Sequence, residues 1–284
     1  PDSKKILLEI KENGNLKYFI LEIDKTPANL ILLDFLGKNI EKIDFHPQNS
    51  QKIFFSKLIK SGETTTSSTL FEFDYLKKEI SQPLFKDFLT WEISEKNFLW
   101  LTREGNLYKS DFYGKEKERL NLDPLPIKDG LSYQFFQKAQ KIFLKEGGNL
   151  YLFDQTKKAF EKILEGGEGL KFSPDLQKIA YFDNNEVGIL FLESQFDQPQ
   201  RKIFEKIFLT RFSEKIGEVF WFTSHYLIFN AGNKIKVVEI DNRDRLNIID
   251  LAEFRESEIF WSREKKILYL LSEGNLFSIE GLLL

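Results

Sequence analysis

A repeated Gly-Asn-apolar triplet limits what this chain can fold into more than any other feature of its sequence. The triplet begins at Gly14, Gly105, Gly148, Gly232 and Gly274, at separations of 91, 43, 84 and 42 residues, and in the fourth copy Lys234 takes the apolar position. These separations are close to two, one, two and one repeats of about 43 residues. Two degenerate copies are expected between them, in the turn at 61–68 and at 183–186. The chain is therefore predicted to be a series of units of one size.

An aromatic residue that precedes an apolar strand marks the same period. It stands at Phe45, Trp91, Phe135, Phe172, Trp221 and Trp261. Within a unit, the runs 141–145, 149–154 and 160–164 are rich in branched and aromatic residues, which is typical of β-strands. The Gly-Asn pairs suit hairpin turns, because glycine adopts a positive φ at little cost. Four short strands in about 40 to 45 residues indicate a β-propeller blade.

The sequence thus predicts an all-β fold, a β-propeller of seven four-stranded blades, in a single domain over residues 1–284. The repeat units cover approximately 1–36, 40–85, 88–126, 130–165, 167–212, 215–254 and 256–284. The first and last units each show three strands, and proteins avoid exposed sheet edges, so we expect strands from the two chain ends to pair and close the ring. Residue 1 falls in the middle of a unit and the chain has no Met. An N-terminal part of the native protein is therefore expected to be missing, and eight blades are the alternative if that part carries another unit.

Composition agrees with one large β domain and excludes several classes of partner. Apolar residues make up 42% and aromatic residues 15% of the chain, with 29 Phe to fill the blades. The net charge is -3 and no basic stripe is visible, so no nucleic-acid partner is expected. No apolar run reaches the roughly 18 residues that span a bilayer, so no membrane contact by this segment is expected. A monomer is expected.

Residues that could carry chemistry are few and scattered. There is no Cys, and the two His are His46 and His225, which we expect to be turn or surface residues. The run Asp241-Asn242-Arg243-Asp244 lacks the glycine and distal glutamate of a calcium loop, so a plain turn is predicted. No nucleophile elbow, zinc-protease, phosphate-loop or dinucleotide motif is present. We therefore predict no catalytic, metal or cofactor-binding residues, no cofactor and no enzymatic activity.

Three long loops are candidates for partner binding, because loops on a rigid scaffold carry function more often than its core. In each blade, the loops between strands one and two and between three and four share one face, while the other loops share the second face. The segment Glu193 to Lys202 lies on the first face, and Lys60 to Thr69 and Asn121 to Gly130 lie on the second. The second face, with two of the three loops, is the hypothesis for the binding face.

Unit five carries a resemblance to a known family. Phe172-Ser-Pro-Asp175 followed by Lys178-Ile-Ala-Tyr181 resembles the TolB-type WD40-like β-propeller repeat, with weaker echoes at Phe45-His-Pro47 and Trp261-Ser262. The segment from Lys215 through Trp261 is also similar to the propeller part of bacterial PEGA-domain proteins. That resemblance implies an extracytoplasmic location and a membrane anchor upstream of this chain.

Three functions remain open at this point. The first is a non-enzymatic scaffold or interaction module, expected in the bacterial cell envelope, with an unidentified protein partner. The second is a small-ligand or glycan binder at the mouth of the central channel, where side chains of the strands beginning near the six aromatic markers would converge. The third is the propeller domain of a larger peptidase-like enzyme, which would require a hydrolase domain elsewhere in the gene.

Overall fold

The strands of this chain form seven antiparallel sheets, so the predicted seven-bladed propeller is confirmed. The computed structural model describes residues 4–12, 15–23, 25–27, 29–61, 65–94 and 96–282. These residues contain β-strands throughout and one 3-10 turn at Asp34–Leu36. No helix within them is long and apolar enough to cross a membrane. The triplet at Gly14 begins outside the described residues.

Two compact units make up the chain: residues 1–146 with 152–161, and residues 147–151 with 162–284. The first unit contains three complete sheets. The first sheet consists of β1 (Lys5–Glu12), β2 (Asn15–Glu22) and β3 (Asn29–Leu32), and the second of β4 (Ile40–Phe45), β5 (Lys52–Ser61), β6 (Thr65–Asp74), β7 (Glu79–Ile80) and β8 (Phe85–Lys86). The third sheet consists of β9 (Phe88–Ile93), β10 (Phe98–Thr102), β11 (Leu107–Ser110) and β12 (Glu118–Arg119). In the second sheet, β7 and β8 both pair with β6, so two short strands fill the fourth position.

The division between the units falls within the fourth sheet, which consists of β13 (Tyr133–Lys138), β14 (Lys141–Glu146), β15 (Asn149–Asp154) and β16 (Ala159–Leu164). The second unit contains three complete sheets. The fifth sheet consists of β17 (Gly169–Phe172), β18 (Lys178–Phe182), β19 (Glu186–Phe191) and β20 (Lys206–Arg211), and the sixth of β21 (Ile216–Trp221), β22 (Tyr226–Ala231), β23 (Lys234–Glu239) and β24 (Ile248–Glu253). The seventh sheet consists of β25 (Glu258–Ser262), β26 (Ile267–Ser272) and β27 (Asn275–Ile279). The single-domain assignment over 1–284 stays a prediction.

The first and last sheets differ from the four-stranded prediction. Each has three strands among the described residues, and they share no strand. The expected pairing of strands from the two chain ends is not found among the described strand pairs.

The hydrophobic cores lie between neighbouring sheets, because strand side chains alternate between two faces. On β5, Ile53 and Phe55 pack toward the first sheet, while Phe54 packs toward the third. On β22, Phe229 packs toward the fifth sheet and Ile228 toward the seventh. These two middle strands therefore each contribute to two cores, which explains their continuous apolar runs in the sequence.

The triplet glycines lie in turns, as the sequence predicts, but in one copy the neighbouring glycine has the positive φ. Gly105, Gly232 and Gly274 have φ values of 82°, 58° and 77°. At the third copy the preceding Gly147 takes the positive φ, at 54°, instead of Gly148. At Gly105 a Cβ would also lie 1.9 Å from the carbonyl oxygen of Leu125, so only glycine fits there.

Candidate functional site

A cleft of about 630 Å³ lies between the fifth and sixth sheets, within the second unit. The β17–β18 turn, the end of β19 and the segment after it form one side, and the start of β22 and the end of β23 form the other. All of these loops join strands one and two or strands three and four of their sheets. The cleft therefore opens on the first face, and we call it the hairpin cleft. Its lining includes Phe191 and Ile240, two buried residues of the core between the sheets.

A short hairpin from Glu193 to Lys202 builds one rim of this cleft. Backbone hydrogen bonds run both ways between Gln195 and Arg201, at 2.9 and 3.0 Å, and close the hairpin. The backbone N–H of Ile203 also donates to the Ser194 hydroxyl at 3.2 Å. Phe196 lies within this closed loop with 85% of its surface exposed. The hairpin thus presents a large apolar side chain to solvent from a hydrogen-bonded support.

Arg201 ties the hairpin to the sixth sheet. Its Nη2 donates to Oδ1 of Asn242 at 2.7 Å, and its Nη1 donates to Glu205 at 3.2 Å. The guanidinium also lies over the ring of Phe191, 5.6 Å from its centroid. Side chains on both sides of the cleft therefore hold the hairpin in place.

The Ser-Pro-Asp turn of the fifth sheet forms the floor with a buried ion pair. Lys178 is 1% exposed, and its Nζ donates to Oδ2 of Asp175 at 2.8 Å. The hydroxyl of Ser173 donates to Asp175 and accepts the Lys178 backbone N–H at 2.9 Å. Burial alone would raise the pKa of Asp175, but hydrogen bonds from Lys178, Ser173 and the Gln177 N–H outweigh it and leave this pKa below its usual value. Asp175 is therefore an anion that holds a buried cation.

The remaining charged residues of the lining are the carboxylates Asp197, Glu239 and Asp241. The guanidinium of Arg243 donates to Oδ1 and Oδ2 of Asp241 and lowers the pKa of that carboxyl. Burial and the neighbouring Glu239 raise the pKa of the Tyr226 hydroxyl. In the described part of the chain no cation lies within ion-pair distance of Glu239 or Asp197. The opening of the cleft thus carries net negative charge next to the exposed ring of Phe196.

The only histidine that lines the cleft, His225, is exposed at the β21–β22 turn, where its backbone N–H donates to Thr223 Oγ1 at 3.1 Å. No group of three or more His, Cys, Asp or Glu among the described residues could hold a metal ion. Asp241 and Arg243 form a turn closed by their own ion pair, as expected for this run.

His46 corrects the expectation of a surface histidine. It is 8% exposed, its ring stacks on Phe54 at 4.8 Å, and its Nδ1 accepts the Gln48 backbone N–H at 3.1 Å. Burial lowers the pKa of this imidazole, although Glu72 opposes the effect. The residue does stand at a turn, but its ring belongs to the core between the second and third sheets.

Four of the six aromatic markers are buried, and the ligand site expected at the channel mouth stays a prediction. Trp91, Phe135, Trp221 and Trp261 are 1 to 7% exposed, and none of the six lines the hairpin cleft. The indole of Trp91 donates to Ser56 Oγ at 3.1 Å, and that of Trp221 donates to the Lys171 carbonyl at 2.8 Å. These donors link the first strand of one sheet to the sheet before it, so these two tryptophans hold neighbouring sheets together.

Of the two long loops predicted on the second face, 60–69 is built into its sheet, whereas 121–130 contains no strand and is held at Asn121. Most of the residues 60–69 belong to the antiparallel pair of β5 and β6, which extends as far as Ser61 and Thr65. Residues 62–64 lie outside the described residues. In the segment 121–130, the Asn121 amide donates to the Gly105 carbonyl at 2.9 Å and accepts the Leu107 N–H at 2.9 Å. The second face therefore stays a prediction for the binding face, and the hairpin cleft offers a candidate site on the first.

Sequence reasoning missed Phe196 and Arg201 as individual residues. The length of the segment 193–202 marks it as a candidate loop, and the one phenylalanine among its Gln, Asp, Pro and Arg residues is the feature that could have identified Phe196. The contact between Arg201 and Asn242 joins residues of different sheets, and no local pattern predicts such a pair.

Comparison with known proteins shows the fold. No family model matches the sequence, and no curated protein matches it significantly. Among solved structures, the β-propeller domain of Cps50 (Swd1) from Myceliophteria thermophila is 11% identical with a TM-score of 0.54, over 97% of this chain and 92% of that one. Hsv2 of Kluyveromyces lactis is 13% identical with a TM-score of 0.51, over 86% of this chain and 75% of that one. These similarities show a WD40-like seven-bladed β-propeller, and they do not support the resemblance to TolB-type or PEGA-domain proteins.

Proposed function

We propose that this protein is a non-enzymatic interaction module that binds a protein partner in the hairpin cleft. A propeller fold determines no activity by itself, so the proposal rests on the site. The single observation that carries it is Phe196, which is 85% exposed on a hairpin held by two backbone hydrogen bonds and by Arg201. Covering such a ring contributes about 1.5 to 3 kcal/mol to binding.

The lining indicates the chemistry of the partner. Aromatic side chains are enriched at protein interfaces. A ring beside a cleft suits a partner in which one residue enters the cleft and the adjacent partner residues cover the ring. Asp197 and Glu239 favour a partner with positive charge next to the apolar contact. We therefore propose a partner segment that combines an apolar side chain with a flanking Lys or Arg.

A pull-down with matched variants tests the proposal. Phe196→Ser removes the ring, and Phe208→Ser removes a ring of the same sheet that is 58% exposed on β20, away from the cleft. We expect the partner to be retained by the wild type and by Phe208→Ser and lost with Phe196→Ser. For the purified partner, calorimetry should show affinity at least tenfold weaker for Phe196→Ser, as for an interface hot spot. Equal binding by all three proteins would refute this site.

We also propose an extracytoplasmic location for the native protein, on the sequence resemblance of residues 215–261 alone. Fractionation of the native organism and protease treatment of spheroplasts, in which only the cytoplasmic membrane is intact, test it. Protection of the protein from protease until the cytoplasmic membrane is broken would contradict the proposal.

A further inference from the structure

A second cleft, of about 520 Å³, lies in the second unit where the first strands of the fifth, sixth and seventh sheets begin. We call it the strand-start cleft. It opens at the ends of the sheets opposite to the hairpin cleft, so a ligand bound there would be separate from the proposed protein partner.

Two buried polar atoms in its lining have no hydrogen-bond partner among the described residues. Ser257 is 5% exposed and its Oγ is unpaired, as is Oδ1 of Asn230 on β22. The amide nitrogen of Asn230 donates to the Ser257 carbonyl at 2.7 Å, which identifies the other amide atom as oxygen. An unpaired buried polar atom costs about 1 to 3 kcal/mol, and such atoms are few in folded proteins. Both atoms are therefore candidates for contact with a ligand.

The backbone leaves room for the Asn230 side chain. The pairing of β21 with β22 is interrupted by a bulge between Ile216 and Val219. Within this bulge, a Cβ on Gly217 would lie 2.2 Å from Asn230 Oδ1. Any other residue at this position would displace the amide, so the glycine is required for the observed position of the oxygen.

The charges around the cleft favour a cation. Glu168, Asp183, Glu218 and Glu258 line it, against one lysine, Lys215. Glu218 is paired with Lys171 at 2.9 Å. The unpaired amide oxygen accepts hydrogen bonds only, and the hydroxyl can accept as well as donate. The cleft therefore offers acceptors and negative charge to a ligand that supplies N–H donors.

We propose that the strand-start cleft binds a primary ammonium group. An ammonium carries one positive charge and three N–H donors. These donors match the Asn230 oxygen, the Ser257 hydroxyl and a carboxylate of the lining, for which we assign Glu258. The ammonium belongs either to a small free amine or to a lysine side chain of another protein.

Isothermal titration of the whole chain with 1,4-diaminobutane and with N-acetyl-lysine amide tests the proposal. 1-Butanol is the matched neutral probe. We expect saturable binding of at least one amine with one site per chain, and no binding of 1-butanol. Tighter binding of diaminobutane identifies a free amine as the ligand, and tighter binding of the lysine derivative identifies a protein side chain. The absence of saturable binding by both amines would overturn the proposal.

Variants locate the site. Ser257→Ala removes a hydroxyl that makes no hydrogen bond within the described structure, so the melting temperature should not fall, while amine binding should weaken about tenfold. Glu258→Gln removes an exposed charge and should weaken binding to a similar extent. Glu264→Gln, an exposed glutamate at the β25–β26 turn, is the control and should bind as the wild type does. Binding that is unchanged in both cleft variants, or weakened equally in the control, would overturn the assignment.

Discussion

Nζ of Lys178 lies 2.8 Å from Oδ2 of Asp175, and the lysine side chain is 1% exposed. Asp175→Asn would leave this cation buried without its partner, which costs about 3 to 5 kcal/mol. We expect a loss of that size in the free energy of unfolding, measured with urea. Asp197→Asn, on the neighbouring hairpin, should change stability by less than about 0.5 kcal/mol. In the double variant Asp175→Asn/Lys178→Met no buried charge remains, so it should be more stable than Asp175→Asn alone.

The ion pair of Lys178 and Asp175 also predicts that the free energy of unfolding decreases at acid pH. Since the folded pKa of Asp175 lies below its usual value, its contribution to stability is fully present above the unfolded pKa of about 3.9. This contribution is lost as the pH falls through the folded pKa. Below about pH 4, the stability of the wild type should therefore fall more steeply than that of Asp175→Asn. Parallel curves for the two proteins in that range would contradict the assignment.

Two equivalent tryptophans provide a matched test of the links between sheets. Trp221 and Trp261 are both buried on first strands. Among the described residues the Trp221 indole has a partner, the Lys171 carbonyl, and the Trp261 indole has none. Trp221→Phe should therefore reduce the free energy of unfolding by about 1 kcal/mol more than Trp261→Phe, because it leaves a carbonyl unpaired. Urea unfolding of both variants measures the difference. Equal losses would show that the hydrogen bond contributes nothing.

Gly188 makes room for an aromatic ring across the strand pair. A Cβ on this residue would lie 2.3 Å from Cζ of Tyr181, its neighbour on β18. Gly188→Ala should reduce the free energy of unfolding by about 1 to 3 kcal/mol through overpacking. Adding Tyr181→Ala should recover part of this loss. Gly148→Ala is the control, since the nearest atom would lie 3.5 Å from its Cβ, and the melting temperature should show little change.

The buried His46 predicts a second pH effect near neutrality. Burial lowers the folded pKa of this imidazole, although Glu72 opposes the effect, while the unfolded chain takes up its proton near pH 6.5. The stability of the wild type should therefore decrease as the pH falls from about 6.5 through the folded pKa, and then level off. His46→Gln should remove this part of the pH dependence of the urea midpoint. An unchanged dependence in the variant would place the titrating group elsewhere.

Local features of the sequence were sufficient to predict seven sheets. Turn glycines such as Gly105 and the alternation on β5 depend on residues close in the chain, so they appear as a period. The shift of the positive φ from Gly148 to Gly147 shows the limit of this inference, because both residues permit the turn and the flanking strand pairs select one of them.

The candidate site depends on contacts between sheets, and there the sequence predicted less. Lys178 begins an ordinary apolar strand, and only the Asp175 side chain three residues earlier explains how a lysine can be buried there. The two long loops on the second face resemble insertions by length, yet one continues a strand ladder and the other is held by Asn121. Loop length alone therefore does not separate a binding loop from a loop that belongs to the scaffold.

The hairpin at 193–202 makes the surface of the hairpin cleft separable from folding. Its own backbone bonds and Arg201 hold it, while β19 and β20 pair with each other outside the hairpin. Substitutions between Gln195 and Arg201 can therefore change the rim of the cleft while the strands beneath it are retained.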